Sequence, residues 1–440
     1  MGRSSIVYVI GLTFIVGLSL RVVSGNSARS MDVYLDYYGL TQVHDIAVSG
    51  ANVGTNYLLS YSPLPSNFGV TFFGGHDSVF YLQDVPQLHW VTLRSVAWTA
   101  SLDANGLPYR DTVDAAFRHV QFAKFSWFTE NEVDGYMAPD GTNGPYYGAD
   151  DWKITGDSVW GPAHTNGAFN LDGTPYFDAH VSSAHAPNLG PSAHPVFNVG
   201  GGIEYPVYEA RPTTPELQAN MTAAATLGGK YFDQSGTPND VSLTFMNDRV
   251  RVQIPPGGGI SDTTMYLSAL AANGLIVVKS ADVHIRGTYQ GDYTVAAFTG
   301  TGANKGNVWI DGDVVAATSP SNNAASTDML GIVAERMAYI TQDLSRTSGS
   351  LVNIQACVYC QRGELAAQNF WNIPISGRVN LFGGVTQNTA GSLGISAAGP
   401  PITLLGGFSY SIRNDPRFVT KQPPFFPASD SYELVTWWEK

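Results

Sequence analysis

The side chains able to do chemistry gather in two places. The first is a His/Asp group: Asp150, Asp151, His164, Asp178, His180, His185 and His194. Asp178-x-His180 pairs an oxygen with a nitrogen ligand, which suits a divalent metal. Asp150 and Asp151, with nearby carbonyls, offer the oxygen donors calcium takes. A plainer account competes with both: His164 hydrogen-bonds a turn and the other side chains are solvated. We adopt the plainer account, with no cofactor, and keep Asp178 and His180 as the metal candidates. The second place is Cys357-Val-Tyr-Cys360, which holds both cysteines of the chain. A redox CxxC pair needs a helix N-terminus near a βαβ unit, whereas Leu351–Ala356 reads as a strand. Zinc needs two more ligands, and neither His nor Cys lies nearby in sequence. Cys357 and Cys360 are therefore read as a structural disulfide or paired thiols. Positions i and i+3 of a strand face opposite sides, so a local bond needs a bulge or turn.

Other catalytic patterns are missing. No Gly-x-Ser-x-Gly occurs, and the glycine runs Gly200–Gly202 and Gly257–Gly259 lack the Lys and helix of a phosphate loop. Asp311 and Asp313 read as outward carboxylates of a turn. Trp309, Trp371, Trp437 and Trp438 are aromatic surfaces that stack on sugars or anchor interfaces. No enzyme is expected.

A chain of 440 residues suffices for two or three domains. Charged residues make up 13%, against about 25% typically, while Gly (47), Tyr (22) and Phe (21) are plentiful. That is the composition of a β-rich extracellular protein with broad contact surfaces. The net charge is −13, with 23 Lys and Arg. A nucleic-acid partner requires a basic patch and is not expected.

No proline precedes Pro63, so residues 1–62 read as one long helix. Ile6–Leu20 carries no charge. It is short of the roughly 20 residues a bilayer span needs unless Arg21 snorkels. A cleavable signal peptide is the rival reading, with Arg3, the apolar run, then Val23-Ser24-Gly25. Further on, Leu35, Tyr38/Gly39, Val43, Ile46/Ala47, Gly50, Val53/Gly54 and Tyr57 recur at helical spacing. Gly costs about 1 kcal/mol in an isolated helix, so glycines at 11, 17, 25, 39, 50 and 54 imply close packing against a partner.

Val70–Phe73, Ser78–Leu82 and Trp90–Ala100 read as strands, Thr112–Phe128 as helix or strand, and Asn131–Asp150 as a loop. A template Gly-x-apolar-x-apolar-x-Gly then recurs at Gly167–Gly173, Gly306–Gly312 and Gly377–Gly383, and at Ala281–Gly287 apart from its first position. Short strands with glycine corners suit a stacked β-solenoid whose rungs bury one another's faces; a β-sandwich is the alternative. Arg211–Leu227 reads as a surface helix capped at Thr213 with Pro215 in its first turn. Asp328–Gln342 reads as either a helix or a strand pair. The division expected is 1–62 helix, 63–150 β-rich connector and 151–440 solenoid-like domain.

The short leader ending in Gly2, the apolar helix and the Gly/Ala-rich segment Ala47-Val-Ser-Gly-Ala-Asn52 resemble type IV pilins and pseudopilins, more narrowly the large pilin-like proteins related to PilX-type minor pilins. Most pilins carry Glu five residues into the mature chain; cleavage after Gly2 puts Val7 there. Phe125–Glu130, Trp160–Gly167 and the tail Asn414–Glu439 are similar to segments of bacterial surface proteins with pilin-like N-termini, a family that brings no catalytic residues. The resemblance implies a fold that is mainly β with a long N-terminal helix. It implies a structural subunit of an extracellular type IV pilus-like filament or pseudopilus. Its partners would be copies of itself or other pilin-like subunits, and the inner membrane would hold it before assembly. Ile6, Val9, Ile10, Leu12, Phe14, Ile15, Leu18 and Leu20 would form the assembly core. The alternative function is a surface-anchored β-helix that adheres to, binds or cleaves glycans.

Overall fold

The computed structural model describes residues 3–60, 64–84, 90–103, 105–236, 239–255, 262–396 and 404–439; the side chains of residues 3–6, 60, 83, 84, 396 and 430 are not among them. Gly257–Gly259 and Pro63 lie outside the described residues. The chain is mainly β, with one long N-terminal helix, Arg3–Ser60, unbroken for 58 residues. It divides into two compact units: 1–120 with 431–440, and 121–430.

In the first unit the helix meets a five-stranded sheet. Its strands, in spatial order, are Phe68–Phe72, Gly75–Asp84, Trp90–Leu102, Pro108–Gln121 and Ala428–Glu439. The first four pair antiparallel. Trp90–Leu102 alternates buried and half-buried residues through most of its length, as a strand with one covered face must. The region that read as helix or strand, Thr112–Phe128, is strand as far as Gln121. A 3₁₀ turn, Phe122–Lys124, follows, and then strand Trp127–Asn131.

The covered face meets the helix at Val43, Ile46, Ala47, Ala51 and Leu58, packed with Val79, Leu93, Val113, Ala115 and Phe117. The stripe expected from Leu35 to Tyr57 is therefore shifted. Leu35, Tyr38 and Tyr57 are exposed, and the buried positions of the helix run from Gly39 to Leu58. Glycine lets the backbones close. A Cβ on Gly50 would lie 1.4 Å from Asp77 Oδ2, and one on Gly54 would lie 2.7 Å from Leu93 and Val79. Hydroxyls lock the contact: Ser95 Oγ donates to the Ala47 carbonyl oxygen (2.7 Å) and Tyr81 Oη to that of Gly54 (2.8 Å).

The second unit is built from parallel strands. One sheet runs Ile203–Glu204, Val181–Ser183, Ala163–Thr165, Trp127–Asn131, Gly384–Thr389, Cys357–Cys360, Met329–Ala334, Asp292–Phe298, Leu275–Lys279, Lys230–Asp233. The chain thus starts mid-sheet, steps outward to Glu204, and resumes at the far edge with Lys230. It then winds back until Gly384–Thr389 pairs with Trp127–Asn131. A 14-stranded sheet follows the same logic and ends in the antiparallel hairpin strands Arg249–Gln253 and Asp262–Tyr266. Trp152–Lys153, Asn170–Leu171 and Asn188–Leu189 form a third sheet. The 10-stranded and three-stranded sheets are open paths with two ends, and the 14-stranded sheet is an open path with side branches at Val308–Ala316 and Leu404–Arg413. Sandwich sheets pair antiparallel, so the sandwich alternative does not describe this unit.

One register position explains the core. Ile276, Val295, Ile332, Val358, Val385, Trp127, Ala163 and Val181 are successive partners across that sheet, and all are buried in one cluster. In the larger sheet Val283 and Ile285 lie opposite Val308 and Ile310, so two copies of the glycine template stack. The copy at 167–173 sits instead in the three-stranded sheet, where Asn170 and Leu171 pair with Trp152 and Lys153. Gly287 turns its corner at φ 104°, where a Cβ would lie 2.2 Å from the Phe245 carbonyl oxygen; only glycine fits. Thr214–Thr226 is the expected helix, with Thr213 Oγ1 accepting from the Glu216 amide. Asp328–Gln342 holds the strand pair Met329–Ala334 and Ala338–Ile340, not a helix.

Candidate assembly surface

The residues expected to form an assembly core occupy the first half of the helix. Val9, Ile10, Leu12, Phe14, Ile15, Leu18 and Leu20 are each 49–70% exposed. The side chain of Ile6 lies outside the described residues. Successive residues of a helix turn by about 100°, so this set surrounds the axis and leaves no polar side. A helix apolar all round belongs in a core or a bilayer. Its most apolar window has a mean hydropathy of 2.0, and none of it is buried. Thr13 Oγ1 returns to the Val9 carbonyl oxygen at 2.7 Å, which takes its hydroxyl out of play. A Cβ on Gly11, Gly17 or Gly25 would meet nothing within 4 Å. Here the helix pays for glycine without the close contact that glycine permits at 50 and 54.

Sequence reasoning missed the aromatic continuation of this surface. Met31, Val33, Tyr34, Leu35, Tyr37, Tyr38 and Leu40 are more than half exposed. The signal available was the density of tyrosines from 34 to 38. It also missed the polar anchor at the helix–sheet contact. Asp77 is buried with the Ser95 hydroxyl 2.9 Å from its carboxyl group, and burial raises its pKa against the hydrogen bonds with Ser95 and the Ser78 amide. Lower on the helix, Tyr109 Oη donates to Asp36 (2.6 Å) and His44 Nδ1 meets Asp111 (2.8 Å).

The chemical candidates are dispersed. Asp178 accepts from Tyr176 Oη (3.1 Å) and Asn198 Nδ2 (3.0 Å), whereas His180 Nε2 meets Glu204 at 2.7 Å. Among the described residues no group of three His, Cys, Asp or Glu converges as metal ligands would. His164 is fully buried. Its Nε2 donates to Asn166 Oδ1 (2.9 Å), which accepts from the Glu209 amide as well, and its Nδ1 accepts from Ser182 Oγ (2.8 Å). Burial lowers its pKa to about 4, so the ring is neutral. Asp311 meets His284 Nδ1 (2.9 Å) and Thr341 Oγ1. Burial opposes ionisation there, but these two bonds prevail and lower its pKa. Asp313 accepts from the Asn353 amide at 2.9 Å.

Cys357 and Cys360 lie in one strand, buried, with both thiols free, so the local bond considered above is not formed in this structure. A regular strand sends i and i+3 to opposite faces. Burial pushes the Cys357 thiol well up and that of Cys360 to about 12, so neither is a ready nucleophile.

No protein-family model matches the chain, and no curated protein matches it in sequence. Among solved structures, it is similar to the crystal structure of competence-associated pilin ComZ from Thermus thermophilus. The TM-score is 0.34 at 11% identity, over 91% of this chain and 97% of that one.

Proposed function

We propose that this protein is a non-enzymatic, pilin-like structural subunit of an extracellular filament, of the type IV pilus or pseudopilus kind. The observation that carries the reading is the bare apolar helix, whose residues 7–20 surround the axis with uncharged side chains that the chain itself leaves exposed. Burying such surface yields about 25 cal/mol per Å², so in water these helices associate. A contact between different patches of successive copies does not close on itself and grows into a helical filament. Before assembly the same segment rests in the inner membrane, and afterwards the helices of copies, or of other pilin-like subunits, shelter it. We read the second unit as a β-solenoid: its parallel sheets share strand order and its apolar ladders run from rung to rung, as stacked coils require.

N-terminal sequencing of the surface-exposed protein, with electron microscopy of sheared surface material, tests this. A start near residue 2 or 3 and fibres containing the chain are expected. A start beyond residue 24 with only single particles would overturn it.

A further inference from the structure

A groove on the second unit is lined by residues outside the N-terminal helix. Its cavity volume is 540 Å³ and its lining includes Asp151, Trp152, Asp157, Trp160, Arg378 and Arg413. Small-molecule sites occupy roughly 300–1,000 Å³ and combine apolar walls with a few placed polar groups. Trp152 and Trp160 are 38% and 37% exposed, so each indole keeps part of its surface open to the groove. Trp160 is set by its neighbours: the Arg413 guanidinium lies 5.3 Å from its ring centre and the Tyr176 ring 5.2 Å away.

The charges are unequally spent. Asp151 pairs with the buried Lys153, and Asp157 accepts the Ile154 amide at 2.8 Å. Arg378 and Arg413 are exposed, and neither has a carboxylate partner among the described residues. A chain of net charge −13 thus places in one groove two guanidinium groups that have no carboxylate partner among the described residues, beside two part-exposed indoles. Their spacing carries information. Arg378 lies opposite Ser409, and Arg413 lies opposite Trp160. Four residue steps along the strand part the backbones of Ser409 and Arg413, about 13 Å at the usual rise. Two long side chains rooted that far apart leave room for each guanidinium to take its own carboxylate on separate units of a chain. Guanidinium takes carboxylate bidentately, and an indole offers a flat apolar face to a sugar ring. Nucleic-acid binding typically neutralises several phosphates in a row, which two arginines on an acidic protein do not supply.

We propose that this groove binds a short acidic oligosaccharide, with uronate-type carboxylates on Arg378 and Arg413 and a sugar ring on Trp160. The site stands independently of the filament reading, because none of its residues belongs to the N-terminal helix.

The test is calorimetric titration of the full chain in detergent with hexagalacturonate, neutral cellohexaose and a single-stranded deoxyoligonucleotide. Hexagalacturonate is expected to bind, at least about tenfold tighter than the neutral hexamer, and to weaken with salt. Arg378→Ala, Arg413→Ala and Trp160→Ala should each weaken it roughly tenfold, with part recovered in Arg378→Lys. All three side chains lie at the surface, and unchanged thermal unfolding checks each fold. No binding at millimolar hexagalacturonate would overturn the proposal. So would affinity indifferent to both arginines, or tighter binding of the oligonucleotide.

Discussion

Gly50 of the helix sits directly against the carboxylate of Asp77, so close that a methyl group at 50 would fall 1.4 Å from Oδ2. The buried Asp77 is held there by Ser95, which binds the helix backbone at Ala47 through the same hydroxyl. Helix and sheet are registered on one another by this contact. Gly50→Ala must push out a buried carboxylate and break that link. A loss of about 3 kcal/mol is expected, seen as a lowered Tm of the first unit. Gly11→Ala, where a Cβ meets open space, should cost nothing and stiffen the helix by up to about 1 kcal/mol.

Trp127 is where the beginning of the second unit meets its end. It begins the unit's first strand, and its register partner Val385 comes from one of the last. Trp127→Ala removes a buried ring from the continuous ladder at that junction. A cost of about 3–5 kcal/mol is expected, measurable by denaturant unfolding. An equal loss from Val181→Ala, farther along the same ladder, would argue against a special role for the junction.

His164 makes the second unit acid-sensitive. Its folded pKa is about 4, below the ordinary 6.5, so between these values the unfolded chain binds the extra proton. Stability from the neutral ring is complete above pH 6.5 and is lost as pH falls toward 4, by about 3 kcal/mol in all. Unfolding followed from pH 7 to 4 should show this slope, flattened in His164→Gln.

Glu364 acts in the opposite direction. It is fully buried, and Oε2 accepts from the Gly135 amide and Thr389 Oγ1, each at 2.8 Å. Burial raises its pKa well above the ordinary 4.5. The folded state therefore holds a proton the unfolded state has released, and stability falls as pH rises above 4.5. Glu364→Gln removes that dependence. Its Tm relative to the parent should climb with pH; a constant difference between pH 5 and 8 would contradict the assignment.

Much of this was legible in the sequence, for physical reasons. The helix was, because proline is absent before 63 and the small residues recur at its period. Stacking of Val283 and Ile285 on Val308 and Ile310 was, because glycine corners and alternation repeat locally. The pairing of Gly384–Thr389 with Trp127–Asn131 was not, since it joins segments far apart with no shared motif. Nor was the return of Ala428–Glu439 to the first sheet. Cys357 and Cys360 invited a bond through proximity in sequence, yet an extended strand separates them. The groove was invisible for the same reason as the junction: Arg378, Arg413 and Trp160 meet only through strand pairing.

In the proposed filament the apolar half of the helix is covered by the helices of other copies. Val9 and Leu18 are nine residues apart, which places them on opposite sides of a helix, and both are exposed. A Val9→Cys, Leu18→Cys double variant, oxidised on the cell surface and run without reductant, measures this directly. The buried native thiols should stay silent. The account predicts a ladder of covalent oligomers reaching beyond the dimer, because opposite cysteines join different neighbours. A surface protein that stays monomeric under oxidation, or is recovered without the two new cysteines, would contradict it.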